Sequence, residues 1–400
     1  MGGHLGRRAQ WLPARDGRSL GVINPADGQA FDAIACGGAH EVDLAVAAAR
    51  TALNGPWGRM SATERGRVLM AIGRAVLDHT DELAPIEARD TDKPMSTARN
   101  DIIVLARYFE YYGGAADKVH GESIPFVQGH QVTLLREPLG VTAHIIPWNC
   151  PAQMLGCTLA PALAMGNATV LKPAEDTSLS ALRFAEIATQ AGLPEGALNI
   201  VTGRGEEAGA ALAGHAGIDF ISFTGSNEVG TLVQQAATRN AVKCVLELGG
   251  KSPQIVFADA DLDRALPLIV RAIVQNAGQT CTAGSRLLVQ REIFDSFVAR
   301  EEVFGPVMAA LPFDDEAEAI APANATDCGL WAAVWTENGG RQQRVAKAAP
   351  AGQVFINCYG AGGGVELPFG GTQRSGHGRE KGLLALEELS STKTLVQFHG

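Results

Sequence analysis

The sequence lacks several features that would place it in common classes of protein. It has no apolar run long enough to span a bilayer, so no membrane partner is expected. Its 33 Lys and Arg are outnumbered by 43 Asp and Glu, and the net charge of −10 excludes the basic face that a nucleic-acid partner needs. The 7 cysteines include no CxxC pair, so neither a metal site nor a disulfide framework is predicted. We therefore expect a cytoplasmic protein with free thiols.

What the sequence does contain is a regular alternation of short apolar runs and helical stretches. Residues 41–116 have the apolar spacing of helices, with a break at Asn54-Gly55-Pro56 and a capping box at Ser61 and Glu64. Predicted strands at 141–146, 168–171, 198–202 and 220–223 then alternate with helices at 153–164, 178–191, 206–213 and 228–238. This pattern is typical of βαβ units, and it predicts an α/β fold with parallel sheets covered by helices.

A second lobe is predicted after Gly249-Gly250. It repeats the alternation, with strands at 254–257, 287–290, 307–311, 330–335 and 353–357. The predicted helices there are 262–276, 293–299, 316–325 and 341–348. Two pieces stand outside the series, a hairpin at 122–136 and a lone strand at 392–398. Because a lone strand must pair with another strand, we expect both pieces to form one accessory sheet.

Two glycine-containing and charged turns are candidates for a cofactor site. Gly225-Ser226, with Gly230, lies where a strand meets a helix, and free N–H groups at a helix start can bind a pyrophosphate. It is not the usual GxGxxG, and an ordinary turn capped by Ser226 is an equal alternative. Lys172 and Glu175 follow another strand end, where parallel sheets place ligands. They fit ribose hydroxyls, or they are solvated loop charges.

Cys281 is the candidate nucleophile, because it lies between glycines in the loop after a predicted helix. A small buried hydrophobe is the alternative for this cysteine. A reactive thiol needs a base and an oxyanion donor. Glu247 is a carboxylate within an apolar strand, which is costly unless it faces a cleft, and Asn149 supplies an amide after the strand 141–146. The other cysteines that we interpret as buried small hydrophobes are Cys36, Cys244, Cys328 and Cys358.

The combined motifs resemble those of the aldehyde dehydrogenase superfamily, in the same order and over nearly the whole chain. They are Pro147-Trp148-Asn149, residues 172–175, 223–226, 247–253, 278–281, 302–306 and 368–371. The resemblance implies two Rossmann-like, doubly wound parallel-sheet domains and a small β oligomerisation sheet. It divides the chain into a cofactor-binding domain (1–121 and 140–246), a catalytic domain (247–385) and oligomerisation elements (122–139 and 386–400). A homodimer or homotetramer is expected.

The resemblance also implies a role for each catalytic residue. Cys281 would attack the aldehyde to give a thiohemiacetal, with the oxyanion held by the Asn149 amide and the Cys281 N–H. Hydride transfer to NAD⁺ would leave a thioester, and Glu247 would activate the water that hydrolyses it to the acid. Glu380 resembles a second acidic residue that relays protons in several members. The product is therefore expected to be the carboxylic acid.

The same resemblance implies the cofactor contacts. They are Trp148, Lys172, Glu175, Gly225, Ser226, Gly230, Leu248, Glu302 and Phe304, of which Glu302 would hold the nicotinamide ribose and Phe304 would lie beside the nicotinamide. A carboxylate at Glu175 hydrogen-bonds a free 2′-hydroxyl and repels a 2′-phosphate. NAD is therefore the expected cofactor, and NADP is the alternative.

The chain departs from the family pattern at two places. Cys157-Thr158 replace a tryptophan–lysine pair, which we expect to have only a modest effect on the rate, through a changed pKa of Glu247. A segment of several dozen residues is missing near 300/301, just before the motif that contains Glu302. The missing segment leaves a second hypothesis open, a catalytically impaired member that survives as a binding or structural protein. A cysteine hydrolase using Cys281 and Glu247 is a third.

Overall fold

The computed structural model describes residues 11–294, 305–360 and 364–400. The predicted residues Glu302 and Phe304, and the join near 300/301, lie outside these ranges. The chain divides into two compact units. Unit 1 holds the described residues up to Phe223, with Leu232–Cys244 and Glu380–Gly400; unit 2 holds Thr224–Thr231 and the described part of Val245–Arg379.

Unit 1 begins with a hairpin and a group of helices. The strands β1 (Ser19–Ile23) and β2 (Ala30–Ala35) pair antiparallel. The helices are α1 (Ala39–Asn54), α2 (Ala62–Asp78), α3 (Thr80–Thr91) and α4 (Met95–Ala115). The predicted capping box is confirmed: Glu64 N–H donates to the Ser61 hydroxyl over 3.3 Å, and Ser61 N–H donates to the Glu64 carboxylate over 2.8 Å.

The core of unit 1 is a parallel sheet whose strands match the predicted apolar runs. Its strands and helices in chain order are β5 (Val141–Ile145), α5 (Pro151–Ala164), β6 (Ala168–Lys172), α6 (Leu179–Gln190), β7 (Leu198–Ile200) and α7 (Ala210–Ala213). The next elements, β8 (Phe220–Gly225), α8 (Asn227–Thr238) and β9 (Lys243–Leu248), are each divided between the two units, with Thr224–Thr231 and Val245–Leu248 in unit 2. The predicted helix at 206–213 is a π-helical turn, Gly205–Gly209, followed by α7. Every residue of β5 and β6 is buried, so both faces of these strands are covered.

A three-stranded antiparallel sheet forms the predicted accessory sheet. It is built from β3 (Glu122–Ile124), β4 (His130–Pro138) and the late strand β18 (Ser390–Phe398), in the order β18-β4-β3. Thus the lone strand and the hairpin do pair, as expected from the sequence. The sheet and the connection between β3 and β4 expose large apolar side chains, among them Phe126, Val396 and Phe398.

Unit 2 contains a five-stranded parallel sheet of order β12-β11-β10-β14-β15. Its strands and helices are β10 (Pro253–Val256), α9 (Leu262–Val274), β11 (Arg286–Gln290), α10 (Arg291–Phe294), β12 (Ala309–Phe313), α11 (Glu316–Ala323), β13 (Cys328–Gly329), β14 (Trp331–Trp335), α12 (Gly339–Ala348) and β15 (Gln353–Ile356). The strand predicted at 307–311 is displaced by two residues, because Val307 and Met308 belong to the approach to β12. Alternate residues of β10, β11 and β14 fall into two separate apolar clusters, so the sheet is covered on both faces.

Three short elements complete the chain: β16 (Thr372–Gln373), β17 (Gly376–His377) and α13 (Leu384–Glu388). The strand β17 pairs antiparallel with β9, at the edge of a six-stranded sheet of order β17-β9-β8-β5-β6-β7. The expected α/β architecture with parallel sheets is therefore confirmed. No helix in the described ranges is long and apolar enough to cross a membrane.

Candidate active site

Cys281 lies in a tight loop of unit 2 between α9 and β11. Cys281 forms no disulfide and is half-buried, and it borders the apolar cluster on one face of the sheet. The predicted helix at 262–276 stops at Val274 because Asn276 and Ala277 adopt positive φ angles of 50° and 53°. Gly278 also has positive φ, and a Cβ there would lie 2.3 Å from the Gly305 carbonyl carbon. The glycine before Cys281 is therefore required by backbone packing.

Glu247 lies in β9 with 3% of its surface exposed. In the register of the sheet it faces Gly376 of β17. A Cβ at Gly376 would come within 1.9 Å of the Leu246 carbonyl oxygen, and one at Gly370 would lie 2.9 Å from a carboxylate oxygen of Glu247. Both glycines have positive φ. Gly370 therefore leaves room for the Glu247 carboxylate, and Gly376 leaves room for the backbone of β9, so the position of a carboxylate in an apolar strand has a structural basis.

Gly225, Ser226, Gly230 and Leu248 come together in unit 2. The Ser226 hydroxyl accepts a hydrogen bond from Val229 N–H over 3.3 Å, so Ser226 does cap α8. A Cβ at Gly230 would lie 2.6 Å from a methyl carbon of Leu248, so only glycine allows the helix to pack this closely. The remaining N–H groups of the first turn suit an anionic group. The two alternatives for this turn, a helix cap and a phosphate site, are compatible.

Lys172 and Glu175 are brought together in unit 1. Lys172 ends β6 and is 2% exposed, and its Nζ lies 2.6 Å from Glu175 Oε2. Gly205 N–H donates to the other carboxylate oxygen over 3.1 Å. Burial opposes ionisation of Glu175, but its hydrogen bond to Lys172 and the charge of Lys172 outweigh this, so the pKa of Glu175 lies below its usual value. The Glu175 carboxylate is therefore ionised and held in a fixed direction. A solvated charge in a loop would not have a fixed direction.

Trp148 and Asn149 follow β5 in unit 1, immediately before α5. Trp148 is 38% exposed and Asn149 is half-buried. The Cys150 thiol donates a hydrogen bond to Asn149 Oδ1 over 3.5 Å. Because the Asn149 side-chain oxygen points towards the Cys150 thiol, the side-chain nitrogen, which is the hydrogen-bond donor, points in a different direction.

Glu380 is buried in unit 1 against Cys157. The thiol donates to Glu380 Oε2 over 3.1 Å. Burial raises the pKa of Glu380, and the hydrogen bond from Cys157 reduces this rise. Thr158 instead donates to the Met154 carbonyl over 2.9 Å, within α5. Cys157 of the substituted pair therefore contacts Glu380, and an effect of the pair on the pKa of Glu247 stays a prediction.

The remaining cysteines follow the prediction only in part. Cys36 is buried, as expected, but Cys244, Cys328 and Cys358 are half-buried. Cys244 lies at the solvent end of β9, where partial burial still raises its pKa to about 11. Cys328 lies in a strand of only two residues, which does not bury its side chain completely. Within the described parts of the chain, no cluster of His, Cys, Asp and Glu could hold a metal ion.

Comparison with known proteins settles the family. A model described as the aldehyde dehydrogenase family matches residues 11–300 and 295–395. The chain belongs to the aldehyde dehydrogenase family. It is similar to retinal dehydrogenase 2 of Homo sapiens, with 39% identity over 97% of this chain and 90% of the relative. It is also similar to aldehyde dehydrogenase family 2 member B4, mitochondrial, of Arabidopsis thaliana, with 37% identity over 96% of this chain and 86% of the relative.

Solved structures give the same family. A putative aldehyde dehydrogenase from Burkholderia cenocepacia superposes with a TM-score of 0.96 at 50% identity, over 98% of both chains. PnpE in complex with nicotinamide adenine dinucleotide has a TM-score of 0.95 at 33% identity, over 98% of this chain and 96% of that one. Family members oxidise aldehydes with NAD(P).

The alignment lengths bear on the missing segment. The alignment with the Arabidopsis thaliana relative extends over 465 positions, whereas 96% of 400 residues is only about 384, so about 80 positions contain no residue of this chain. This agrees in size with the missing segment of several dozen residues that the motif spacing indicated. The family match also falls into two ranges, 11–300 and 295–395, which overlap at residues 295–300.

Sequence reasoning missed several residues around these groups. Gly250, Gly370 and Gly376 make room for backbone or for a carboxylate, but glycine in a loop has no chemical signal of its own. Tyr359, whose hydroxyl donates to the Thr282 carbonyl oxygen, is distant from Cys281 in sequence. The only signal for it is its position shortly before the motif at 368–371.

Proposed function

We propose that this protein oxidises an aldehyde to the carboxylic acid with NAD⁺, with Cys281 as the covalent nucleophile. The observation that carries the proposal is the pairing of features in unit 2. A half-buried thiol that forms no disulfide lies in a loop with a required glycine, and the same unit holds a buried carboxylate, Glu247, next to Gly370. Membership of the family supports the assignment of both roles.

Each unit, taken by itself, has a group of residues that suits part of a nicotinamide dinucleotide. The first turn of α8, with Gly225, Ser226 and Gly230, fits a pyrophosphate, and the ionised carboxylate of Glu175 fits a ribose diol. We propose that Lys172, Trp148 and Leu248 also contact this cofactor, together with Glu302 and Phe304. The cofactor supplies the hydride acceptor. Because Glu175 carries its charge, we propose NAD as the preferred form, with NADP as a weaker ligand.

The chain's own groups would act in order. The Cys281 thiolate adds to the aldehyde carbonyl, and the Cys281 N–H and the Asn149 amide hold the oxyanion. After oxidation the acyl group is a thioester on Cys281, and Glu247 takes a proton from the water that cleaves it. Glu380, whose raised pKa favours the neutral acid, would accept or return protons in this relay.

The test is turnover by NADH absorbance with a panel of aliphatic and aromatic aldehydes. We expect the wild-type protein to form NADH and acid, and Cys281→Ser to lose at least about 1000-fold in kcat while still binding NAD⁺. Cys328→Ser is the matched control, because Cys328 also forms no disulfide and is half-buried but has no proposed role. Full activity of Cys281→Ser would refute the assignment.

The missing segment favours one alternative, a catalytically impaired member. Its signature is folded protein that binds NAD⁺ but forms no NADH with any aldehyde. Cofactor-independent ester hydrolysis as the main reaction would instead indicate a cysteine hydrolase. The compartment we propose is the cytoplasm, on the basis of the free thiols, although two of the relatives are mitochondrial proteins.

We further propose that the accessory sheet joins protomers into a dimer or tetramer. The exposed apolar side chains of Phe126, Val396 and Phe398 support this, since such patches mark interaction surfaces. Size-exclusion chromatography with light scattering measures the assembly, and a monomer at all concentrations would contradict it.

A further inference from the structure

In the loop that holds Cys281, residues 279–285, three consecutive carbonyl groups are restricted, one from within the loop and two by residues outside it. The Thr280 carbonyl accepts a hydrogen bond from Ala283 N–H over 3.1 Å. The Cys281 carbonyl oxygen lies so close to Gly250 that a Cβ there would be 2.8 Å away. The Thr282 carbonyl accepts a hydrogen bond from the Tyr359 hydroxyl. Because peptide groups are planar, fixing these carbonyls also fixes the direction of the N–H groups between them.

The Tyr359 side chain contributes a contact to this loop from a distant part of the sequence, 77 residues from Thr282. Its ring packs edge-on against Trp331 of β14, with centroids 5.5 Å apart, and against Phe355 of β15 at 5.8 Å. Burial raises the pKa of Tyr359 well above its ordinary value, so the hydroxyl keeps its proton at neutral pH and remains a donor. The donor is therefore fixed to the sheet that underlies unit 2.

We infer that Tyr359 is a positioning residue for the Cys281 nucleophile, acting through its hydrogen bond to the Thr282 carbonyl. The inference rests on the proposed function, in which the Cys281 N–H binds the oxyanion. An oxyanion donor must point at the position where charge develops, and this direction depends on the peptide groups on both sides of Cys281. The Gly250 contact restricts the Cys281 carbonyl, which belongs to the peptide on the C-terminal side of Cys281, and Tyr359 holds the carbonyl of Thr282, one peptide group further on.

The variant that tests this is Tyr359→Phe, which keeps the ring and removes only the hydroxyl. Loss of one hydrogen bond to the loop should lower kcat about threefold to tenfold. The KM for NAD⁺ should stay within about twofold, because the residues proposed to bind the cofactor do not include Tyr359. An unchanged kcat would overturn the inference, and so would a fall in kcat matched by a rise in the KM for NAD⁺.

A second measurement does not need turnover. The seven thiols are alkylated with iodoacetamide in the absence of aldehyde and NAD⁺, at pH values from 6.5 to 9, and peptide mass spectrometry gives a rate for each cysteine. In Tyr359→Phe the rate for Cys281 should rise about threefold, because the released loop exposes the thiol more often, while the rate for Cys328 stays the same. Equal rates for Cys281 in both proteins would overturn the inference. This readout stays informative even if the wild type forms no NADH, in which case only the proposed function fails.

The matched control is Asn324→Ala, which removes another side-chain donor to a backbone carbonyl in the same unit. The Asn324 amide donates to the Ala348 carbonyl over 2.9 Å and links α11 with α12. This variant should lose comparable stability with unchanged kcat and Cys281 alkylation. If it lowers kcat as much as Tyr359→Phe does, the effect is general destabilisation and the inference is wrong.

Discussion

The ammonium group of Lys93 is enclosed by two carboxylates that have almost no contact with solvent. Lys93 Nζ lies 2.7 Å from Asp101 Oδ2 and 3.2 Å from Glu87 Oε1, and the exposed fraction of each of the three side chains is at most 2%. The carboxylates also hold the start of α5. Glu87 accepts from Ala152 N–H over 3.3 Å, and Asp101 accepts from the Gln153 amide over 2.6 Å. The cluster thus fixes the helix that follows Asn149.

We predict that Lys93→Met destabilises the protein by about 3–5 kcal/mol at pH 7.5, because it leaves two buried carboxylates facing each other without a cation. With a thermal response of about 2–4 °C per kcal/mol, the melting temperature should fall by roughly 10 °C. A matched control is Lys243→Met. Lys243 Nζ lies 2.7 Å from Glu388, but the Lys243 side chain is 43% exposed, so its loss should cost less than about 1 kcal/mol.

The loss of stability in Lys93→Met relative to wild type, called the deficit below, should depend on pH. Burial raises the pKa of Glu87, the charge of Lys93 opposes this rise, and that opposition disappears in Lys93→Met. An acid whose pKa is raised in the folded state loses stability as pH rises above the pKa of the unfolded chain, near 4.3. The pKa of Lys93 is itself raised in the folded wild type. Its contribution to folding stability is therefore fully present below the pKa of lysine in the unfolded chain, near 10.4. The deficit should therefore be small at pH 4.5 and grow towards pH 8.

The assay is urea unfolding of wild type and both variants at half-unit steps from pH 4.5 to 8, with dehydrogenase activity measured well below the melting temperature. Lys93→Met should also lose activity, because the segment with Asn149 is less firmly held. Equal stability of Lys93→Met and wild type at pH 7.5 would refute the reasoning. A deficit that stays constant over this pH range would show that the charges do not cause it.

Two further predictions concern the core and the glycines. Burial lowers the pKa of His144 to about 3 from 6.5, so its contribution to stability is present above pH 6.5 and is lost as pH falls, by about 2 kcal/mol at pH 5. His144→Gln should flatten this part of the urea-unfolding profile, and an unchanged slope would contradict the assignment. Gly376→Ala should cost more than about 3 kcal/mol and most of the activity, since its Cβ would meet the Leu246 carbonyl oxygen at 1.9 Å. Gly339→Ala, which meets nothing within 4 Å, is the control that should be neutral in thermal unfolding; equal losses in both would refute the steric argument.

The parallel strands were predictable because their physical signal is local. A buried strand in such a sheet is a short apolar run bounded by turns, and the predicted 141–146 compares with the observed Val141–Ile145. The hairpin of β1 and β2 gave no such signal, since most of its residues are exposed and do not alternate regularly. The end of α9 was placed two residues late. Nothing in the side chain of Ala277 indicates that it takes a positive φ.

For the candidate site, the order of motifs in the sequence indicated the candidate catalytic and cofactor-binding residues. It did not indicate which other residues hold them in position. Cys281, Glu247, Lys172 and Glu175 were identified from residue type and motif. Their supports come from segments far away in the chain, as with Tyr359 and Thr282, which are 77 residues apart. A tyrosine that donates to a backbone carbonyl looks like any other tyrosine until the fold brings the two atoms together.

The pairing of β4 with β18 has a consequence for synthesis on the ribosome. Ser390 pairs with Pro138, so about 250 residues separate the two strands. At translation rates of about 5–20 residues per second, β4 waits roughly 10 to 50 s for its partner. During this time its only strand neighbour is the three-residue β3, and its other edge can pair with a foreign strand. The charged residues Arg136 and Glu137 lie on this waiting strand, where charge discourages such pairing, so the nascent chain carries its own protection against aggregation.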